Sequence, residues 1–281
     1  MTLSAREALW QTVASPATPA DRLATGALLI AADDHPGLDL DAQLALLETM
    51  GATLRRRLRP DISAAEALIA LNRYLFDELG FRGNAADYYD PLNSRLDHVL
   101  ARRLGIPITL AVIYIDVGRR IGLPLEGVSF PGHFLVRCRL RGGFVFLDPY
   151  ARGVSLAHEE LRRRVAATQG GQAVDDEHLQ HLLRAATVPE ILGRMLRNLK
   201  AIHLHRGDRH KALACADRIV TLLPGSLSDL RERAQLYFDL ECFRAALADY
   251  ARYAELAPEV AQAEGVPARL AELRRRAASL N

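Results

Sequence analysis

Cysteine and excess charge are the two things this chain most lacks. Only three Cys occur among its 281 residues, at positions 138, 215 and 242. Their spacing matches no metal-ligand pattern, and so few of them point to a reducing compartment. Histidine offers no metal site either. His178 and His181 stand at helical spacing beside Asp175 and Asp176, with no third ligand in view. A net charge of +2 gives no reason for a nucleic-acid or anionic-membrane partner. No apolar run reaches transmembrane length. The start, Met1-Thr2-Leu3-Ser4-Ala5-Arg6-Glu7, lacks the basic-then-apolar pattern of a signal peptide. The expectation is a cytoplasmic protein with no metal and no cofactor.

What is present suffices for a core. Hydrophobic residues make up 49 % of the chain and charged ones 25 %, and 281 residues can hold two domains. Arginine triplets at 55–57, 162–164 and 274–276 read as helix ends or solvated faces. Residues 1 to about 100 read as helical, with Trp10 as a core anchor. Helices are expected from Thr18-Pro19 to Ile30, from Asp41 to about Leu58, and from a capping box at Ser63 and Glu66 to near Gly80. A loop rich in Gly, Asn, Asp and Tyr follows, including Tyr88-Tyr89. A further helix then runs from Asn93-Ser94 through Arg103.

The stretch from Gly105 to Pro149 is the most informative. Leu110, Ala111, Val112, Ile113, Ile115, Val117 and Ile121 leave few polar positions, which predicts a buried helix. Pro107 suits the turn leading into it, Thr109 is placed as its N-cap, and Gly122 with Pro124 stops it. Phe134, Val136, Cys138 and Leu140 then alternate with His133, Leu135, Arg137 and Arg139. Phe144 to Leu147 resumes after Gly142-Gly143, which predicts an antiparallel hairpin. A loop spanning 139–142 would set His133 directly opposite Asp148. A two-residue turn at Arg141-Gly142 would make them diagonal neighbours. In either register the two share a face, and Cys138 points away from them.

The last third repeats itself. Setting 206–224 over 240–258 matches Ala212 with Ala246, Arg218 with Arg252, Leu222 with Leu256 and Pro224 with Pro258. Small residues where helices meet, and a Pro closing the second helix, resemble the tetratricopeptide repeat. Two helical hairpins from about Glu190 to Pro258, capped by a helix from Val266 to Ser279, are expected.

A buried helix feeding a hairpin that carries His and then Asp resembles the papain-like and transglutaminase-like enzymes. Tyr74-Leu75-Phe76, Gly80-Phe81, Gly83-Asn84, Tyr88-Tyr89-Asp90-Pro91, Asn93-Ser94 and Gly105-Ile106-Pro107-Ile108-Thr109 resemble a narrower bacterial group. So do Pro131-Gly132-His133-Phe134 and Asp148-Pro149. This is the SirB-type family, a transglutaminase-like domain followed by tetratricopeptide repeats, linked historically to regulation of invasion genes. The resemblance implies an α+β fold: a transglutaminase-like (papain-like) core with an N-terminal helical region, spanning 1–187, then an all-α repeat domain, 188–281. It implies that His133 matches the catalytic His and Asp148 the carboxylate that orients it. The usual Cys nucleophile would fall at or near Pro107, leaving Thr109 as the nearest hydroxyl.

Three functional readings follow. The first is a cytoplasmic protein-binding or regulatory protein, engaging a protein or peptide partner through the repeats, with a transglutaminase-like domain that lacks its nucleophile. The second is an amide- or peptide-bond hydrolase or acyltransferase using His133 and Asp148 with Thr109 or a water. The third is a non-catalytic binder of peptides or small molecules. Asn93, Arg95 and Asp97 precede the central helix and are candidates to line the same cleft. The first reading is the expectation carried forward.

Overall fold

The computed structural model describes residues 3–278 apart from 16 and 173. The chain divides into two compact units, Met1–Met195 and Leu196–Asn281. Among the described residues, no helix is long and apolar enough to cross a membrane.

Unit 1 opens with α1 (Leu3–Ala14), α2 (Leu23–Asp34), α3 (Leu40–Arg57) and α4 (Ala64–Asn72). Trp10 is fully buried. Asp39 caps α3 by accepting from the Ala42 N–H, two residues before the expected start. The Ser63–Glu66 capping box opens α4 as read from the sequence. The helix does not continue unchanged to Gly80, because residues Arg73–Glu78 widen into a π-helix. A two-residue strand β1 (Arg82–Gly83), α5 (Leu96–Arg102) and β2 (Leu104–Gly105) come next, β1 pairing with β2 in parallel.

The expected buried helix is α6 (Pro107–Arg120), with eleven of its fourteen residues buried. It packs against α2, α3 and α4. Each buried Ile, Leu or Val contributes roughly 1.5–3 kcal/mol relative to exposure, so α6 is the axis of this unit. Strands β3 (Leu125–Val128), β4 (Leu135–Leu140), β5 (Gly143–Asp148) and β6 (Val154–Leu156) form an antiparallel sheet in that order. Helices α7 (His158–Thr168) and α8 (Asp176–Leu182) follow. Leu135 and Phe146 of the hairpin pack with Leu161, Val165 and Leu179 of these two helices. Cys138 is buried on the other face, where it neighbours Tyr114 of α6.

The boundary between units falls within α9 (Val188–His205). Unit 2 continues with α10 (Arg209–Leu222), α11 (Leu227–Asp239), α12 (Phe243–Leu256), α13 (Pro258–Ala263) and α14 (Val266–Ala278). Ala212 and Ala246, matched by the 34-residue offset, are both completely buried. The match fails at the repeat's end: Leu222 is buried, but Leu256 is 53 % exposed. Pro258 does not merely close α12. It sits at the first position of α13, where its fixed φ and missing N–H suit a helix start. Buried charges are paired: Arg233 grips Asp249 through two bonds of 2.7 Å, and Arg197 grips Asp229 through Nε at 3.0 Å.

Candidate active site

The start of α6 is built differently from the sequence expectation. Pro107 occupies the first helical position, so Ile106 is the N-cap and Thr109 lies three residues in. An Ile side chain cannot cap. Thr109 reaches back instead, its Oγ1 accepting from the Ile106 N–H at 3.1 Å. Its own O–H donates to the Asn93 carbonyl at 2.8 Å, with the Ile106 carbonyl at 3.1 Å as a second acceptor. The hydroxyl is completely buried. The proline thus moves the helix start three residues upstream and turns the expected cap into an internal clasp.

Asn93 is also completely buried. It accepts from Asn84 Nδ2 at 3.0 Å and donates to the carbonyls of Asp87, at 2.7 Å, and Tyr88. Its side chain therefore ties down the loop ahead of α6. Arg95 pairs with Asp97 at 3.1 Å, and the rings of His98 and His35 lie 3.9 and 4.0 Å from the same carboxylate oxygen. Among the described residues, no hydrogen bond or ion pair joins Arg95 or Asp97 to His133, Asp148 or Thr109.

The structure does bring His133 and Asp148 together. Leu140 pairs with Gly143, leaving the two-residue turn Arg141-Gly142, so the diagonal arrangement is the one adopted. His133 lies just ahead of β4, and its N–H donates to the Phe130 carbonyl at 3.2 Å. Its Nε2 is 2.8 Å from Asp148 Oδ1. The same oxygen accepts the N–H groups of Tyr150, at 3.1 Å, and Ala151, at 3.3 Å, while Oδ2 accepts from Arg164 Nη1 at 3.3 Å. Burial opposes ionisation of Asp148. The His133 hydrogen bond and charge, with donors from Ala151 and Arg164, outweigh it and hold the carboxyl below its ordinary value. An ionised Asp148 makes Nε2 the donor of the pair and leaves Nδ1 of a neutral ring as an acceptor.

Three further supports were not read from the sequence. Gly153, at φ +74°, donates to the Asp148 carbonyl at 2.8 Å. Its own carbonyl takes Asn72 Nδ2 at 3.0 Å, and Asn72 Oδ1 takes the Tyr114 hydroxyl at 2.7 Å. A Cβ on Gly153 would overlap the Asn72 carboxamide. The turn carrying Asp148 is thereby pinned to α4 and α6. Tyr150 is the second support. Its ring meets the His133 ring edge-on at 6.1 Å and covers Gly83, where a Cβ would overlap it. Tyr88 continues this aromatic line at 6.3 Å from Tyr150, and Tyr89 stands 5.4 Å from Tyr88. Arg164 is the third. Placed by the sequence on a solvated face, it instead bridges Glu160 at 2.8 Å and Asp148. Only the neighbourhood of Asp148 in sequence could have signalled Tyr150.

Cys138 is no partner for His133. It is completely buried on the opposite face, and burial pushes its thiol pKa up, away from the reactive thiolate. The site thus holds an oriented imidazole, a carboxylate fixed by four donors, and a helix start whose only hydroxyl is locked to backbone.

Residues 41–197 match the family model of the transglutaminase-like superfamily, and residues 199–271 match a tetratricopeptide-repeat model. The chain therefore belongs to the transglutaminase-like superfamily, with repeats following. Within it, the chain is a member of the UPF0162 family. It is 42 % identical to a UPF0162 protein of Xylella fastidiosa over 265 residues, 94 % of each chain. It is 33 % identical to one from Pseudomonas aeruginosa over 247 residues, 88 % of this chain and 89 % of that one. Over 187 residues it is also 33 % identical to human F-box only protein 21, covering 63 % of this chain and 28 % of that protein. No solved structure matches the chain significantly.

Proposed function

We propose that this is a cytoplasmic protein-binding or regulatory protein whose transglutaminase-like domain no longer performs acyl transfer. One observation carries the reading: the Thr109 hydroxyl is completely buried and gives its proton to the Asn93 carbonyl. A hydroxyl nucleophile must be open to substrate and must pass its proton to a base in the transition state. Thr109 does neither, and Pro107, at the start of the helix, has no nucleophilic group. The repeats supply the second half of the reading, because stacked helical hairpins present extended surfaces suited to polypeptide partners. The SirB-type resemblance favours a regulatory role.

The runner-up is amide hydrolysis by a water that His133 activates. The Asp148-anchored ring, with Nδ1 available and a side chain 21 % exposed, favours it. The two readings separate experimentally. The whole chain and His133→Ala, each carrying a photo-crosslinking residue in the repeats, would be used to capture protein from lysate. Binding predicts equal capture and cross-links within 196–281. Turnover of a glutamine-containing peptide that disappears with His133→Ala would overturn the binding reading in favour of hydrolysis.

A further inference from the structure

A cavity of about 140 Å³ lies in unit 1, where the start of α2, the C-terminal part of α6, strand β3 and the start of α9 meet. None of the residues lining it belongs to the His133–Asp148 site. Its floor is apolar: Leu23, Ile115, Leu125, Val188 and Ile191 line it, and each is at most 5 % exposed. An apolar cavity of about 150 Å³ holds a benzene molecule, so this one has room for a body of about six carbons.

The polar groups around that floor have partners, with one exception. Thr18 donates its O–H to the Thr12 carbonyl at 2.9 Å, and Thr187 donates to Glu190 at 3.1 Å. Glu126 accepts from Arg137 Nε at 2.8 Å, and the Ala186 N–H meets the Gly127 carbonyl at 2.8 Å. The exception is Arg119. Its Nε donates to the Leu125 carbonyl at 2.9 Å, which fixes the guanidinium in the cavity wall. Among the described residues, its two terminal nitrogens have no hydrogen bond and no ion pair. They carry four of the five N–H donors of a guanidinium. The acids nearby are committed or solvated: Asp116 accepts from Arg120 Nε at 2.7 Å, and Asp21 is exposed. Burial lowers the Arg119 pKa, and the charges of Glu126, Asp21 and Asp116 do not make up the loss.

We propose that this cavity binds a small monocarboxylate with a compact apolar body, which lies on the floor while its carboxylate takes the two terminal nitrogens of Arg119. A guanidinium presents those nitrogens as a planar fork that matches a carboxylate. Burial of the apolar body drives binding, and the charge-assisted pair orients it. A ligand with two anionic charges fits worse, because one cation faces a floor that cannot solvate a second charge. An apolar amine is disfavoured by the same cation.

The test is methyl NMR of the whole chain, isotope-labelled at the isoleucine methyls. It is titrated with benzoate, with benzyl alcohol (the ring without the charge) and with acetate (the charge without the ring). Benzoate should shift the Ile115 and Ile191 methyls saturably and leave Ile69, 69 % exposed on α4, unmoved. Benzyl alcohol and acetate should each bind about ten-fold or more weakly, a difference of about 1.4 kcal/mol. Arg119→Gln should weaken benzoate by the same factor and leave benzyl alcohol unchanged. The proposal is overturned if benzoate gives no saturable shift at Ile115 and Ile191, or if either control binds as tightly as benzoate. Undiminished benzoate binding by Arg119→Gln overturns it too. The comparison of ligands uses the unsubstituted chain, so it decides the matter even where Arg119→Gln does not fold.

Discussion

Replacing Thr109 by Val exchanges a hydroxyl for a methyl group at almost constant volume, which makes it the sharpest probe of what that hydroxyl does. Thr109 and Asn93 are completely buried and Ile106 is 4 % exposed, so water cannot easily replace the lost partner. The Ile106 N–H loses its acceptor and the Asn93 carbonyl its donor. Each stranded group costs roughly 1–3 kcal/mol, so Thr109→Val should destabilise unit 1 by about 2–4 kcal/mol. Thr109→Ser keeps both bonds and loses one buried methyl, worth about 1 kcal/mol. The assay is urea unfolding followed by the fluorescence of Trp10, the chain's one tryptophan, which is buried in unit 1. The predicted order is wild type, then Ser, then Val. A Val variant within about 0.5 kcal/mol of wild type, the scatter of an ordinary neutral substitution, would refute the clasp and return the hydroxyl to the list of available nucleophiles.

Three other outcomes follow from the same geometry. Asp148 is held below its ordinary pKa, so its ionised form adds stability that is present above the unfolded value, near pH 4, and is lost as pH falls through the lower folded value. The stability gap between wild type and Asp148→Asn should therefore shrink as pH falls below about 4; a gap that stays unchanged or grows below about pH 4 contradicts this. Gly153→Ala places a Cβ at φ +74° and against Asn72, so it should lower stability by about 1–3 kcal/mol in urea unfolding. Ala246→Leu should cost about 1–3 kcal/mol by overpacking a completely buried helix contact, read from thermal unfolding, and a neutral result would mean that the contact is loose.

Local signals were legible in the sequence, and features fixed by distant residues were not. The Ser63–Glu66 box is a four-residue pattern and formed as read. The apolar run of α6 and the parity of the hairpin depend only on period, and the two-residue turn picked one of two registers already in view. Thr109 was harder, because its role depends on the Asn93 carbonyl, sixteen residues upstream, and on Pro107 setting the helix start. Asn93 read as a lining residue but is consumed by its own loop. Arg164 carried no sequence mark separating it from Arg162 and Arg163, and only tertiary folding turns it toward Asp148. Strands β1 and β2 are two residues each, too short for any alternation to show.

The proposed function leaves an oriented His133–Asp148 pair where no nucleophile serves it. The most direct measurement is ammonia release from a glutamine-containing peptide by the purified whole chain, beside His133→Ala and buffer alone. Three indistinguishable rates are expected. A rate above buffer for the whole chain that falls to buffer with His133→Ala would contradict the proposed function.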